Sequence, residues 1–102
     1  MSQSNKILNK YPDRIPIIIN KHKKSLLNDI DKTKYIVPKD MKLNSLIFLI
    51  CKSIKLKPEQ TIFVTVNNEL CSNNSTLEEI YNTYKNKDGF LYIEYSSENT
   101  FG

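Results

Sequence analysis

The chain holds no tryptophan, one histidine, two cysteines and two glycines in 102 residues, and each shortage closes off a chemistry. A single histidine, His22, cannot build a histidine-rich metal site or a two-histidine catalytic arrangement. Cys51 and Cys71 stand too far apart for the CxxC spacing of a zinc ribbon, and two thiols do not make a disulfide scaffold. Reduced cysteines in a cytoplasmic protein are the simpler expectation. The longest unbroken apolar run, Leu46 to Cys51, falls far short of the roughly 20 residues that a membrane helix needs. No charged start followed by an apolar signal segment is present, so secretion is not expected.

What remains is 39% hydrophobic and 25% charged, the composition of a soluble globular chain with one modest core. The net charge of +4 is unevenly spread. Residues 1–51 carry ten Lys/Arg against four acids, and residues 52–102 carry five against seven. A basic half attracts an acidic partner, whether nucleic acid, lipid headgroups or an acidic peptide, although a solvated lysine surface explains the same numbers.

Along the chain, Gln3–Asn9 reads as a short helix capped by Ser2 and ended at Tyr11-Pro12, because the residue before proline leaves the helical region. Ile15-Pro16-Ile17-Ile18-Ile19 reads as a buried strand, with Pro16 confined to an edge or to the strand's start. Lys21–Lys32 is polar and mixed, and reads as a loop or a loose turn of helix. Lys34-Tyr35-Ile36-Val37, ended by Pro38 and set among lysines, has the character of an exposed edge strand. Asp40 is the expected cap of a helix through Ile54, with the apolar stripe Leu43, Leu46, Ile47, Ile50 and Ile54. Phe48 and Leu49 fall off that stripe, so a second apolar surface is implied.

Thr61–Val66 reads as a strand, Asn67-Asn68 as a tight turn into Glu69-Leu70, and Ser75-Thr76-Leu77-Glu78 as a capping box. Its helix presents Leu77, Ile80, Tyr81 and Tyr84 on one face, and Asp88-Gly89 breaks it. Phe90–Tyr95 reads as a central strand. The order fits an α+β ubiquitin-like β-grasp: a four-stranded mixed sheet around a central helix, with a short N-terminal helix. Residues 1–10 are the helical extension, 11–95 the β-grasp domain and 96–102 a flexible tail.

Five blocks carry more than periodicity. Lys10-Tyr11-Pro12-Asp13-Arg14-Ile15-Pro16-Ile17-Ile18 comes first, then Asp31-Lys32-Thr33-Lys34-Tyr35-Ile36-Val37-Pro38. Phe63-Val64-Thr65-Val66-Asn67-Asn68, then Asp88-Gly89-Phe90-Leu91-Tyr92-Ile93-Glu94-Tyr95-Ser96, and finally Phe101-Gly102 complete the set. In this order and spacing the chain resembles the autophagy-related ubiquitin-like modifiers, the family of the GABA(A)-receptor-associated protein and microtubule-associated light chain 3. The likeness runs from Lys6 to Gly102.

That resemblance implies a modifier and adaptor, not an enzyme, working without a cofactor or metal. A cysteine protease would expose Gly102, and E1-like activating and E2-like conjugating enzymes would carry it as a thioester to phosphatidylethanolamine. The protein would be cytoplasmic, and on autophagosomal or related vesicle membranes once lipidated. It would be a monomer in solution and would bind no nucleic acid.

The resemblance also implies a groove for aromatic-x-x-aliphatic peptides of receptors and cargo, which add as a strand beside Lys34–Val37. The aromatic pocket would use Ile7, Pro16, Ile18, Lys34, Ile36 and Phe90. The aliphatic pocket would use Tyr35, Val37, Pro38, Met41, Leu46 and Leu49, leaving Phe48 buried. Arg14, Lys32 and Lys34 would meet acids on the ligand. Three departures are notable: Leu46 stands where an aromatic is common, Ser53 replaces a usual arginine, and Gly89 replaces a bulky residue and is expected to loosen the approach to the last strand. The family usually has about two helices before the block that holds Tyr11, and with only ten residues ahead of Tyr11 the first is expected to be missing or trimmed.

Other readings stay open on the residues alone: a groove-bearing adaptor that is never lipidated, a modifier joined to protein lysines, and a small basic nucleic-acid binder stacking bases on tyrosines. Most tyrosines fall on core-facing positions, which counts against the last. Neither cysteine has a histidine placed to activate it, which counts against an enzyme.

Overall fold

A computed structural model of the chain describes residues 9–97. Ile7, Gly102 and most of the expected helix Gln3–Asn9 lie outside the described residues; residues 9–10 are helical. β1 (Arg14–Lys21) is dense in isoleucine: it buries Ile15, Ile17 and Ile19 in the core and half-buries Ile18 on its other face. It pairs antiparallel with β2 (Lys34–Pro38) and parallel with β5 (Leu91–Ser97). β3 (Ile62–Val66) runs antiparallel to β5, and the two-residue β4 (Glu69–Leu70) follows it through Asn67 and Asn68, both at positive φ as an Asn turn permits. The sheet order is β2-β1-β5-β3-β4, so the sheet has five strands, where four were expected. The fifth is β4, the short strand into which the Asn67-Asn68 turn leads. β2 is an edge and β5 is central, as read from the sequence.

Helix α1 (Leu43–Ser53) lays Leu43, Leu46 and Ile50 against Ile15, Ile17, Ile19, Leu91, Ile93 and Tyr95 in one core, with Ile54 just beyond it. Helix α2 (Leu77–Tyr84) adds Leu77, Ile80 and Tyr81 to the same cluster. Pro16 is tolerated in β1 for a definable reason. Ile19 N–H donates to Thr33 O at 2.7 Å and Lys39 N–H to Asp13 O at 3.0 Å. By the alternation of an antiparallel ladder, the odd residues of β1 therefore bond to β2. Pro16 turns its nitrogen the other way, ahead of the β5 pairing that begins at Ile17.

Three local expectations give way. Asp40 caps nothing: α1 starts from Lys42, which has no side-chain cap bond. Its orphan N–H groups are met by backbone carbonyls instead, Leu43 N–H by Ser75 O at 2.9 Å and Asn44 N–H by Asn73 O at 3.1 Å. The capping box lies one residue later than expected, on Thr76 and Glu79, because the run Ser-Thr-Leu-Glu-Glu fits the pattern in two frames. The second frame wins because Ser75 is held on α1, and α2 returns the exchange: Leu77 N–H donates to Met41 O at 2.8 Å and Glu78 N–H to Lys39 O at 3.0 Å. Finally, Gly89 does not loosen the approach to β5. At φ 85° it takes the left-handed conformation a glycine adopts freely, and Tyr81 Oη donates to its carbonyl at 2.7 Å.

The β1–β2 connection, residues 22–33, is irregular but pinned. Asn28 Nδ2 donates to Ile54 O at 2.8 Å, and Tyr95 Oη donates to Asn28 O at 2.7 Å. Burial first, then the charge of Asp29, pushes the Tyr95 phenol up to about 12 from an ordinary 10. A raised folded value means the unfolded chain loses its proton first, so the stability that Tyr95 contributes is fully present below pH 10 and falls as pH rises toward 12. Tyr95→Phe should cost about 1 kcal/mol from the lost hydrogen bond. Thermal melts across that pH window should then show a shallower decline than the native chain.

Candidate functional site

The site is built on the open side of β2. Because the odd residues of β1 bond across to β2, Tyr35 and Val37 direct their backbone groups inward, and Ile36 directs both its N–H and its C=O outward. A strand added there would find a donor and an acceptor on one residue.

Register then sorts the side chains by face. Ile36 pairs with Pro16 and Lys34 with Ile18, so these four share the sheet face turned away from α1. Phe90 joins them where β5 begins, and Lys34 Nζ stands 5.6 Å from its ring centroid. Asp88 fixes this corner by accepting from Phe90 N–H at 3.0 Å and from Tyr92 Oη. The Tyr92 hydroxyl and that backbone N–H hold the Asp88 carboxyl below the ordinary carboxylate range. Of the residues expected for the aromatic pocket, all but Ile7, outside the described residues, thus come together. Pro16 is fully buried and Phe90 nearly so, leaving Ile18, Lys34 and Ile36 as the half-exposed members.

The second set divides. Val37 and Leu46 are core residues, Leu46 with 0% exposure, so Leu46 offers a ligand no surface where the sequence had it lining a pocket. Tyr35 and Met41 are half-buried against the core, and Lys32 Nζ lies 5.3 Å from the Tyr35 ring centroid. Pro38, by strand alternation, falls on the same side as Ile36 and not with Tyr35. Met41 and Leu49 line a shallow depression of about 480 Å³ along the outer side of α1, together with Phe48. Tyr35 and Val37 do not line it.

Phe48 overturns the expectation of burial: it is 61% exposed, against 39% for Leu49, with Lys52 Nζ 5.1 Å from its ring centroid. The signal was present, since a helix with a sheet on one side cannot bury a residue about 140° from its stripe. Arg14 and Lys32 are exposed and take part in none of the ion pairs among the described residues, which join Lys21 to Asp29 and Lys39 to Asp13 and Glu78. Burial pushes both cysteine thiols up, with the charge of Glu69 adding to the shift at Cys71, so neither is a ready thiolate.

The family model described as "Autophagy protein Atg8 ubiquitin like" matches residues 1–102. Autophagy-related protein 8h of Arabidopsis thaliana is 46% identical over 102 residues, all of this chain and 86% of that protein. Autophagy-related protein 8 of Schizosaccharomyces pombe is 46% identical over 101 residues, 99% of this chain and 84% of that protein. Among solved structures, the crystal structure of Trypanosoma brucei ATG8 superposes with a TM-score of 0.86 at 34% identity, covering 93% of this chain and 82% of that one. Plasmodium falciparum Atg8, solved in complex with a P. falciparum Atg3 peptide, gives 0.84 at 34% identity, covering 93% and 87%. The five blocks, the β-grasp topology and these matches agree: the chain belongs to the Atg8 family of ubiquitin-like autophagy proteins.

Proposed function

We propose that this protein is a modifier and adaptor, not an enzyme, that is joined through Gly102 to phosphatidylethanolamine and recruits partners at the open edge of β2. The observation that carries the recruiting role is Ile36, which directs N–H and C=O outward between an apolar sheet face and the exposed side of α1. An aromatic residue of the ligand would rest near Ile18, Ile36 and Lys34, and an aliphatic one near Met41 and Leu49. Arg14, Lys32 and Lys34 supply the charge for acids flanking the motif. Exposed ion pairs are each worth about 0–1 kcal/mol, so they tune encounter rate and preference more than affinity.

For conjugation, Gly102 is the chemically suited terminus, because an acyl carbon next to an unbranched Cα is open to attack. The amine of phosphatidylethanolamine would attack the glycyl thioester, forming the C–N bond as the C–S bond breaks, with the enzyme thiolate leaving and the amine proton lost. No described helix is long and apolar enough to cross a membrane. Two acyl chains on one lipid would give the stable anchoring that a single chain does not. A processing cysteine protease, an E1-like activating enzyme and an E2-like conjugating enzyme are the partners this route requires. The Atg3 peptide bound to the Plasmodium relative supports a conjugating partner for this fold. The protein would then divide between cytoplasm and autophagosomal or related membranes.

Two tests follow. Titrated calorimetrically with an acid-flanked aromatic-x-x-aliphatic peptide, Leu49→Ala should bind about tenfold more weakly with an unchanged melt. Ile36→Pro, whose missing N–H faces the ligand and not β1, should weaken binding further. Leu46→Ala should instead lose about 2–5 kcal/mol of stability, the mark of a core residue. Native affinity in both Leu49→Ala and Ile36→Pro would remove the edge from the site. Intact mass of protein recovered from its own cells' membranes should show a phospholipid-sized increment that Gly102→Ala lacks. No increment in either chain would leave an adaptor that is never lipidated.

A further inference from the structure

The parallel pairing of β1 with β5 sets the ends of both strands side by side. Lys21 lies level with Tyr95, and His22 N–H donates to Tyr95 O at 2.8 Å. The last residue of β5 is Ser97, and five residues follow it to Gly102. Fully extended, they reach no more than about 18 Å. If Gly102 is bonded to a lipid, as proposed above, the end of the domain that carries residues 21–28 is held within that distance of the bilayer surface.

What stands at that end fits a membrane. Leu26 is 79% exposed, the most exposed large apolar side chain among the described residues, although its neighbour Leu27 is buried in the core. Lys23 and Lys24 precede it, both exposed and in no ion pair among the described residues. Nearby acids are Asp29, which pairs with Lys21 at 2.9 Å, and Asp31. The segment does not swing freely. Ser25 N–H donates to His22 O at 2.9 Å, Leu27 N–H to Ser25 Oγ at 3.1 Å, and Asn28 is bonded to both Ile54 and Tyr95. A pinned backbone that points one leucine outward beside two lysines spends little entropy on docking.

We propose that residues 22–26 form a second, non-covalent membrane contact, with Leu26 entering the headgroup region and Lys23 and Lys24 meeting anionic lipid. The inference rests on the Gly102 reading only for the source of the tether. The contact restrains the domain against the bilayer and so fixes which of its surfaces face the cytoplasm.

The test replaces the natural tether. The full chain, carrying a hexahistidine after Gly102, is bound to nickel-chelating lipid in phosphatidylcholine vesicles with or without about 30% phosphatidylserine. Because the chain has no tryptophan, Leu26→Trp is a single-site reporter, and Tyr11→Trp, 39% exposed in the turn that precedes the opposite end of β1, is its control. On anionic vesicles the Leu26→Trp emission should move to shorter wavelength and be quenched by brominated acyl chains, while Tyr11→Trp does neither. Neutralising Lys23 or Lys24 to Gln should lower the docked-to-undocked ratio about fivefold each.

Tryptophan itself favours interfaces, so hydrogen exchange of residues 22–28 is followed in the tethered native chain. It should slow on anionic vesicles, and Leu26→Asp should abolish the slowing. A reporter at Leu26 as water-exposed as at Tyr11, or exchange unchanged by vesicles, would overturn the proposal. Protection that appears without vesicles and grows with protein concentration would assign the surface to a second copy and overturn it equally. The artificial tether bypasses conjugation, so failure here leaves the Gly102 reading untouched, and a missing lipid increment leaves this result untouched.

Discussion

Parallel pairing of β1 with β5 is the constraint on which the rest of the molecule depends. It joins the first strand of the domain to its last, which a chain can do only by crossing over, and α1 and α2 are carried in the path between them. Because β5 occupies one side of β1, β2 is left with β1 as its single neighbour and becomes an edge. The same pairing sets the end of β5 beside the start of the β1–β2 connection. The open edge of β2 and the pinned 22–28 segment are thus two consequences of one register.

A second exchange locks the helices. The first N–H groups of α1 donate to Asn73 and Ser75, and those of α2 donate to Lys39 and Met41. Each helix start is satisfied by the loop that leads into the other, with Lys42 and Thr76 forming an isolated bridge between them. Four orphan donors are met without a charged cap on α1. The arrangement also fixes Met41, the residue that carries the β2 edge onto the outer side of α1.

These features explain what the sequence discloses and what it conceals. The isoleucines of β1, the proline that ends β2 and the stripe on α1 report local periodicity, and the structure keeps each of them. Asp40 and the Ser75 frame mislead because the choice between caps was made by a partner loop more than thirty residues distant in the chain, and no local pattern records such a contact. Leu46 and Phe48 separate for a geometrical reason: residues two apart on a helix face different ways, so one is sealed in the core and the other stands in solvent. Family likeness assigned Leu46 to a pocket, yet the angle on the helix already placed it with Leu43 and Ile50. The first-face residues were easier, since Pro16, Ile18, Lys34 and Ile36 follow from one strand pairing.

Register also decides whether the two surfaces compete. Lys34 lies level with Ile18, three residues before Lys21, and Pro38 lies level with Arg14, seven residues before it. At about 3.3 Å per residue, the binding edge spans roughly 10 to 23 Å from the end of β1 that would rest on the bilayer. A headgroup-deep contact reaches only about 5–10 Å into the membrane boundary, so it does not extend along the strand to cover Ile36. Met41 belongs to the far end of that span, while α1 runs back from it to its C-cap Ile54, whose carbonyl accepts from Asn28 at the near end. The basic half of the chain is thereby divided by position: Lys23 and Lys24 at the end that would face the membrane, Arg14 and Lys34 along the edge. A peptide with flanking acids would be drawn to the edge and repelled by an anionic bilayer, which favours ligands entering from the cytoplasmic side of the tethered domain.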